Sequence, residues 1–108
     1  MRRLSILAGA LVCLFLGCES ARYYTPPVAT SEMARSQHGQ NIDLALLKRG
    51  RALFAHRCIQ CHTAPSIWYY RVEDWPLIVN SMAHRASLKP SERDAIIAYI
   101  LAVRAQAR

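Results

Sequence analysis

Two thiols and an imidazole stand together in the run RCIQCHTAP, residues 57–65: Cys58, Cys61 and, directly after the second cysteine, His62. Three chemistries use such a cluster. A redox dithiol cycles between two thiols and a disulfide. A tetrahedral zinc site takes thiolates and imidazoles as ligands. A c-type haem anchor adds both thiols across the porphyrin vinyl groups and uses the adjoining imidazole on the iron. A dithiol of the thioredoxin kind expects its CxxC at a helix start after a strand, and no strand pattern occurs in this chain. Zinc wants two spaced ligand pairs. The remaining imidazoles, His38, His56 and His84, lack that second spacing. The haem anchor accounts for every residue of the motif. About one turn of backbone separates the thiols, so both sulfurs reach one macrocycle edge. His62 then falls under the iron as proximal ligand. A stapling disulfide explains less, because so small a loop restrains the unfolded chain little.

The elements that must hold this cluster read as helices. The chain has 108 residues, enough for one domain. Three segments carry helical apolar stripes. NIDLALLKRGRALFAHR offers Asn41 or Asp43 as a cap, with Leu46, Gly50, Leu53 and Phe54 on one face. Glycine in mid-helix costs about 1 kcal/mol against alanine, so Gly50 predicts close contact with another helix. DWPLIVNSMAHR offers Asp74 as a cap and tolerates Pro76 in its first turn; Trp75, Ile78, Val79 and Met82 share a face. KPSERDAIIAYILAVRAQ starts at Lys89–Pro90 with Glu92 in the first turn, or at Ser91 with Asp94 three residues on. Ile96, Tyr99, Ile100 and Val103 form its buried stripe. The fold class is all-α, with the compact domain at residues 41–108. A core built from under 70 residues rarely suffices alone and usually needs a metal, cofactor or cross-link.

The N-terminus reads as an export signal. Arg2 and Arg3 precede the apolar run from Leu4 to Leu16, which is shorter than the roughly 20 residues a membrane span needs. The run ends in FLGC, residues 15–18, which resembles a bacterial lipobox. Residues 1–17 are the expected leader, with cleavage before Cys18 and lipid on that cysteine. Cleavage after Ser20 would give a soluble product instead. Two or more acyl chains anchor stably. Residues 18–40, with Pro26 and Pro27, read as a flexible tether. The chain carries 14 basic against 7 acidic residues, a net +7 that becomes +5 without Arg2 and Arg3. That favours acidic partners or anionic lipid. Export and scattered arginines argue against nucleic acid.

From Asp43 to Arg104 the chain resembles the class I cytochromes c. LLKRGRALFAHRCIQCHTAP is similar to their N-terminal helix and haem motif, and SERDAIIAYIL to their C-terminal helix. Gly50, Phe54 and Tyr99 match the positions where those two helices cross. WPLIVNSM resembles the segment leading to the distal ligand. The resemblance implies one covalent haem c on Cys58 and Cys61, with His62 proximal and Met82 on the other axial side. His84 is the alternative sixth ligand. It also implies that the Pro65 carbonyl accepts from the His62 ring N–H, fixing the ring. Trp68, Tyr69, Tyr70 and Trp75 are expected to pack on the macrocycle, with Arg71 as a charged partner for a propionate. Lys48, Arg51 and Arg57 would form a basic rim for docking.

With both axial positions held by protein, the iron only gains and loses an electron. The expected function is electron transfer rather than catalysis, by an exported, periplasmic, lipid-anchored protein. Its partner would be an acidic redox protein or a membrane oxidoreductase. Two alternatives remain. The domain could be the haem-bearing subunit of a larger complex, or, with Met82 off the iron, an open-site peroxidase or gas sensor.

Overall fold

The structure is a computed structural model and describes residues 24–35 and 41–107. The leader at 1–17, Cys18 and His38 lie outside the described residues. Among the described residues there are helices and turns but no strand, so the fold class is all-α. The elements are α1 (Ser31–Arg35), α2 (Leu44–Arg57), a 3₁₀ turn (Val72–Asp74), α3 (Trp75–Ala83) and α4 (Pro90–Gln106). No described helix is long and apolar enough to cross a membrane.

Helix α2 starts where Asp43 accepts the Ala45 N–H at 2.9 Å, covering one of the donors a helix N-terminus leaves unpaired. It crosses α4 at Gly50. A Cβ on Gly50 would lie 2.0 Å from the Ala95 carbonyl oxygen and 2.8 Å from the Tyr99 Cβ, so only a residue without one allows this approach. The α4 stripe is as expected: Ile96, Tyr99, Ile100 and Val103 are all buried, joined by Ala95 and Ala102. On α2 the stripe is shifted. Leu47 is fully buried beside Gly50 and Phe54, whereas Leu46 and Leu53 are half-buried. The crossing point lies on the Gly50 side of the helix, and Leu47 is one turn from it.

Helix α4 begins at Lys89, whose N–H donates to the Glu92 carboxylate at 2.9 Å. That bond holds the Glu92 carboxyl below its usual range. Ser91 therefore lies inside the helix rather than capping it. Asp74 does not cap α3 either. Its carboxylate takes Arg71 instead, at 3.2 and 3.4 Å.

The C-terminal end of α3 is a Schellman turn. The Leu88 N–H bonds to the Ala83 carbonyl at 2.9 Å and the Ser87 N–H to the His84 carbonyl at 3.1 Å. Ser87 sits between them at φ 52°, the left-handed region where glycine is favoured. Ser87→Gly relieves the crowding of Cβ against the carbonyl, offset in part by glycine's extra unfolded-state entropy, and should stabilise the protein by about 0.5–1 kcal/mol. The check is an upward shift of the urea midpoint at constant slope.

The tether does not run free over its whole length. Ala29, Met33 and Ala34 are buried in the same core as α2 and α4. The Tyr99 hydroxyl donates to the Pro27 carbonyl, and Arg51 Nε donates to the carbonyls of Pro26 and Pro27 at 3.1 and 3.0 Å. The Ile42 N–H closes on the Ala34 carbonyl at 3.0 Å. Two prolines deprive a segment of N–H donors but leave its carbonyls, and α2 and α4 supply the donors. Composition suggested a linker because it shows the first fact and not the second.

This strap gives Tyr99 a measurable pH signature. Burial pushes its hydroxyl up to about 12. A phenol raised in the folded state leaves stability intact below its unfolded value of about 10. That stability is then lost as pH rises towards the folded value. The unfolding free energy should fall more steeply between pH ~10 and ~12 in the wild type than in Tyr99→Phe, which lacks the proton. Equal slopes in stepped-pH denaturant titrations would contradict this.

Candidate functional site

Helices α2 and α3 and the turns that follow each of them enclose a cleft of about 290 Å³. Sites for small ligands commonly occupy about 300–1,000 Å³. The last turn of α2 brings Phe54 and Arg57 to the wall, and the chain leaving it brings Cys58, Cys61, His62 and Pro65. Opposite them stand Trp75, Ile78, Val79 and Met82, the shared α3 face expected from their spacing, with Leu88 from the Schellman turn. Tyr70 closes part of the rim. Among the described residues the lining is apolar apart from two thiols, one imidazole, the Tyr70 side chain with its hydroxyl, and Arg57 and Arg85.

The aromatic wall is built as a series of edge-on contacts. Phe54 meets Trp75 at 6.1 Å between centroids, and Tyr70 meets Trp75 at 5.6 Å. The Trp75 indole N–H donates to the Ile67 carbonyl at 3.1 Å, which fixes the ring from the loop side. Arg104 of α4 holds the same loop through the carbonyls of Ile67 at 3.0 Å and Tyr70 at 2.7 Å. Its guanidinium lies 5.6 Å over the Trp68 ring. Trp68 therefore packs behind the loop, against Arg104, and not in the cleft. Tyr69 is 69% exposed and leans on Tyr70. Of the four aromatics expected around a bound group, only Tyr70 and Trp75 line the cleft.

His62 Nδ1 lies 3.0 Å from the Thr63 carbonyl oxygen. A carbonyl only accepts, so Nδ1 donates in this bond, which leaves Nε2 as the nitrogen whose lone pair a neutral ring can offer. The expected bond to the Pro65 carbonyl is not made. The nearer Thr63 oxygen takes that role, while Pro65 still lines the cleft. Cys58 and Cys61 are free thiols. Cys58 is half-buried and burial pushes its thiol up, whereas Cys61 is exposed. In the unliganded chain, iodoacetamide should modify Cys61 before Cys58, because the thiolate reacts and burial suppresses it. Time-resolved peptide mapping reads the order.

Met82 lines the cleft and is 38% exposed. His84 does not line it. Two residues along a helix turn a side chain through more than half a circle. Met33 is buried in the core with α1, away from the cleft lining. Arg71 is exposed and paired with Glu73 and Asp74, so it is not a cleft cation. Lys48 is outside the cleft, and Arg51 is committed to the strap. Of the expected basic rim, only Arg57 borders the site, with its Nε buried and unpartnered among the described residues. Arg85 is the cation that the sequence reading missed. Its signal is its place three residues after Met82, one turn along the same face.

The arrangement offers two thiols for covalent attachment, an imidazole lone pair and a thioether as soft metal ligands, and apolar walls for a flat ring. Among the described residues no three His, Cys, Asp or Glu side chains gather closely enough to hold a metal ion between them. No family model matches the chain, and neither a curated protein nor a solved structure matches it.

Proposed function

We propose that the protein is an electron-transfer c-type cytochrome, carrying one covalent haem in the cleft between α2 and α3. A single observation carries the reading. Cys58, Cys61, His62, Pro65 and Met82, chosen from the motif and the resemblance, all line one apolar cleft. Cys58 and Cys61 would form the thioethers. His62 would ligate through Nε2, with Thr63 holding the ring at Nδ1 and making it a better donor. Met82, from the opposite wall, would be the second protein ligand. The bound group would supply a one-electron couple.

The remaining residues exclude water and limit rearrangement. Trp75, Phe54, Val79 and Ile78 present apolar surface, which favours the iron state of lower charge, as does a thioether ligand. The carrier reading is preferred to a peroxidase because, among the described residues, neither Asp nor Glu lines the cleft and the imidazole there is that of His62 alone. On this reading the domain is exported and held by lipid at Cys18, and faces an acidic redox protein or a membrane oxidoreductase.

The test is expression in a host able to attach haem c, followed by intact mass and an optical spectrum. The expected product carries one haem by mass and shows a Soret band with sharp reduced bands. Cys58→Ala/Cys61→Ala should show neither. A wild-type mass of bare polypeptide would refute the proposal.

A further inference from the structure

Arg57 joins the two walls of the cleft. It is the last residue of α2, immediately before Cys58. Its terminal nitrogen donates across the mouth to the carbonyls of Ala86 at 3.1 Å and Ser87 at 3.0 Å. Those carbonyls belong to the turn that ends α3, where helix geometry leaves acceptors without partners and a cation is favoured. The Ala86 N–H in turn bonds to the Met82 carbonyl at 2.9 Å. A short path of hydrogen bonds therefore runs from the thiol-bearing wall, through one guanidinium, to the backbone of Met82. Ser87 holds this turn in a left-handed conformation, so its carbonyl is aimed by the fold. On its inner side the Nε is shut away from water and has no hydrogen-bond partner among the described residues.

From this geometry we infer that Arg57 is a positioning residue that sets how closely Met82 approaches the His62 side of the cleft. The inference rests on the proposed haem site and adds a determinant that neither the motif nor the resemblance supplies. Met82 sits in the last turn of a nine-residue helix and is partly exposed. Little else in the described structure ties its turn to the opposite wall. A weak thioether ligand is sensitive to such freedom. Without the clamp, Met82 should leave the iron more often, and an added ligand should find the position open.

The experiment uses the haem-loaded full chain and four forms: wild type, Arg57→Ala, Arg57→Gln and Arg85→Ala. Two readouts report the Met82 bond and are indifferent to stability alone. They are the weak far-red band of ferric iron bound to sulfur and the rate of CO binding to the ferrous form. Arg57→Ala and Arg57→Gln should weaken the band and speed CO binding roughly tenfold or more, the equivalent of one charge-assisted hydrogen bond. Arg85→Ala should match the wild type, because Arg85 is an equal charge on the cleft with no hydrogen bond to the other wall. Parallel effects of Arg85→Ala and Arg57→Ala would mean that charge alone acts, and would overturn the clamp. Wild-type band and CO kinetics in either Arg57 variant would overturn it as well, while leaving the haem reading intact. If Arg57→Ala fails to mature, Arg57→Gln, which keeps a polar stem, decides. A wild type that carries no haem would instead sink the underlying reading.

Discussion

Gly50→Ala should destabilise the protein by about 2 kcal/mol or more, a large share of its folding free energy. The added methyl would sit 2.0 Å from the Ala95 carbonyl oxygen and 2.7 Å from its carbonyl carbon. Both are backbone atoms of α4, so no rotamer change relieves the contact. The helices must separate, which withdraws Leu47 from the Ile96, Tyr99 and Ile100 stripe. Overpacking a core typically costs about 1–3 kcal/mol, and a clash on backbone lies at or beyond the upper end. The intrinsic gain of alanine over glycine in a helix returns only about 1 kcal/mol. A core this small supplies on the order of 3–5 kcal/mol in total. Thermal and urea unfolding should show that loss of about 2 kcal/mol or more. A midpoint within error of the wild type would mean that α2 and α4 do not cross where the structure has them.

Met82→Ala has the largest expected effect on the proposed chemistry. If the thioether holds the sixth position, its removal exchanges a soft sulfur for water or for an open site. The reduction potential should fall by on the order of 0.1 V, a fraction of the ≈ 0.8 V over which axial ligands tune haem iron. The far-red band of ferric iron bound to sulfur should vanish, and CO and cyanide should bind rapidly. The covalent haem should survive, since Cys58, Cys61 and His62 are untouched, and intact mass checks this. His84→Ala is the control and should leave spectrum and potential unchanged, because His84 does not line the cleft. The opposite pattern, with His84→Ala altering the spectrum and Met82→Ala silent, would transfer the sixth position to the imidazole.

The two predictions probe different origins of the same cleft. Gly50 acts through the packing of α2 on α4, which is local to the core and needs no bound group. Met82 acts only where something is bound. A Gly50 variant that is destabilised together with a Met82 variant that changes nothing spectroscopic would therefore support the fold and remove the function.

What the sequence determined by itself was the part written in short-range spacing. The CxxCH run placed three reactive groups within five residues, so no fold could separate them. The 3.6-residue period of WPLIVNSM put Trp75, Ile78, Val79 and Met82 on one face, and a helix cannot present them otherwise. Gly50 announced a close helix crossing because nothing else justifies its cost there. Tertiary structure decided what depends on partners distant in the chain. Arg51 and Tyr99 turned a proline-rich tether into a strap by donating to carbonyls more than 20 residues away. Arg104 drew Trp68 out of the cleft. Arg57 closed on a turn 29 and 30 residues further along. A hydrogen bond of that kind spans two elements, and no local pattern fixes which carbonyl a long, flexible guanidinium will meet until the helices have packed.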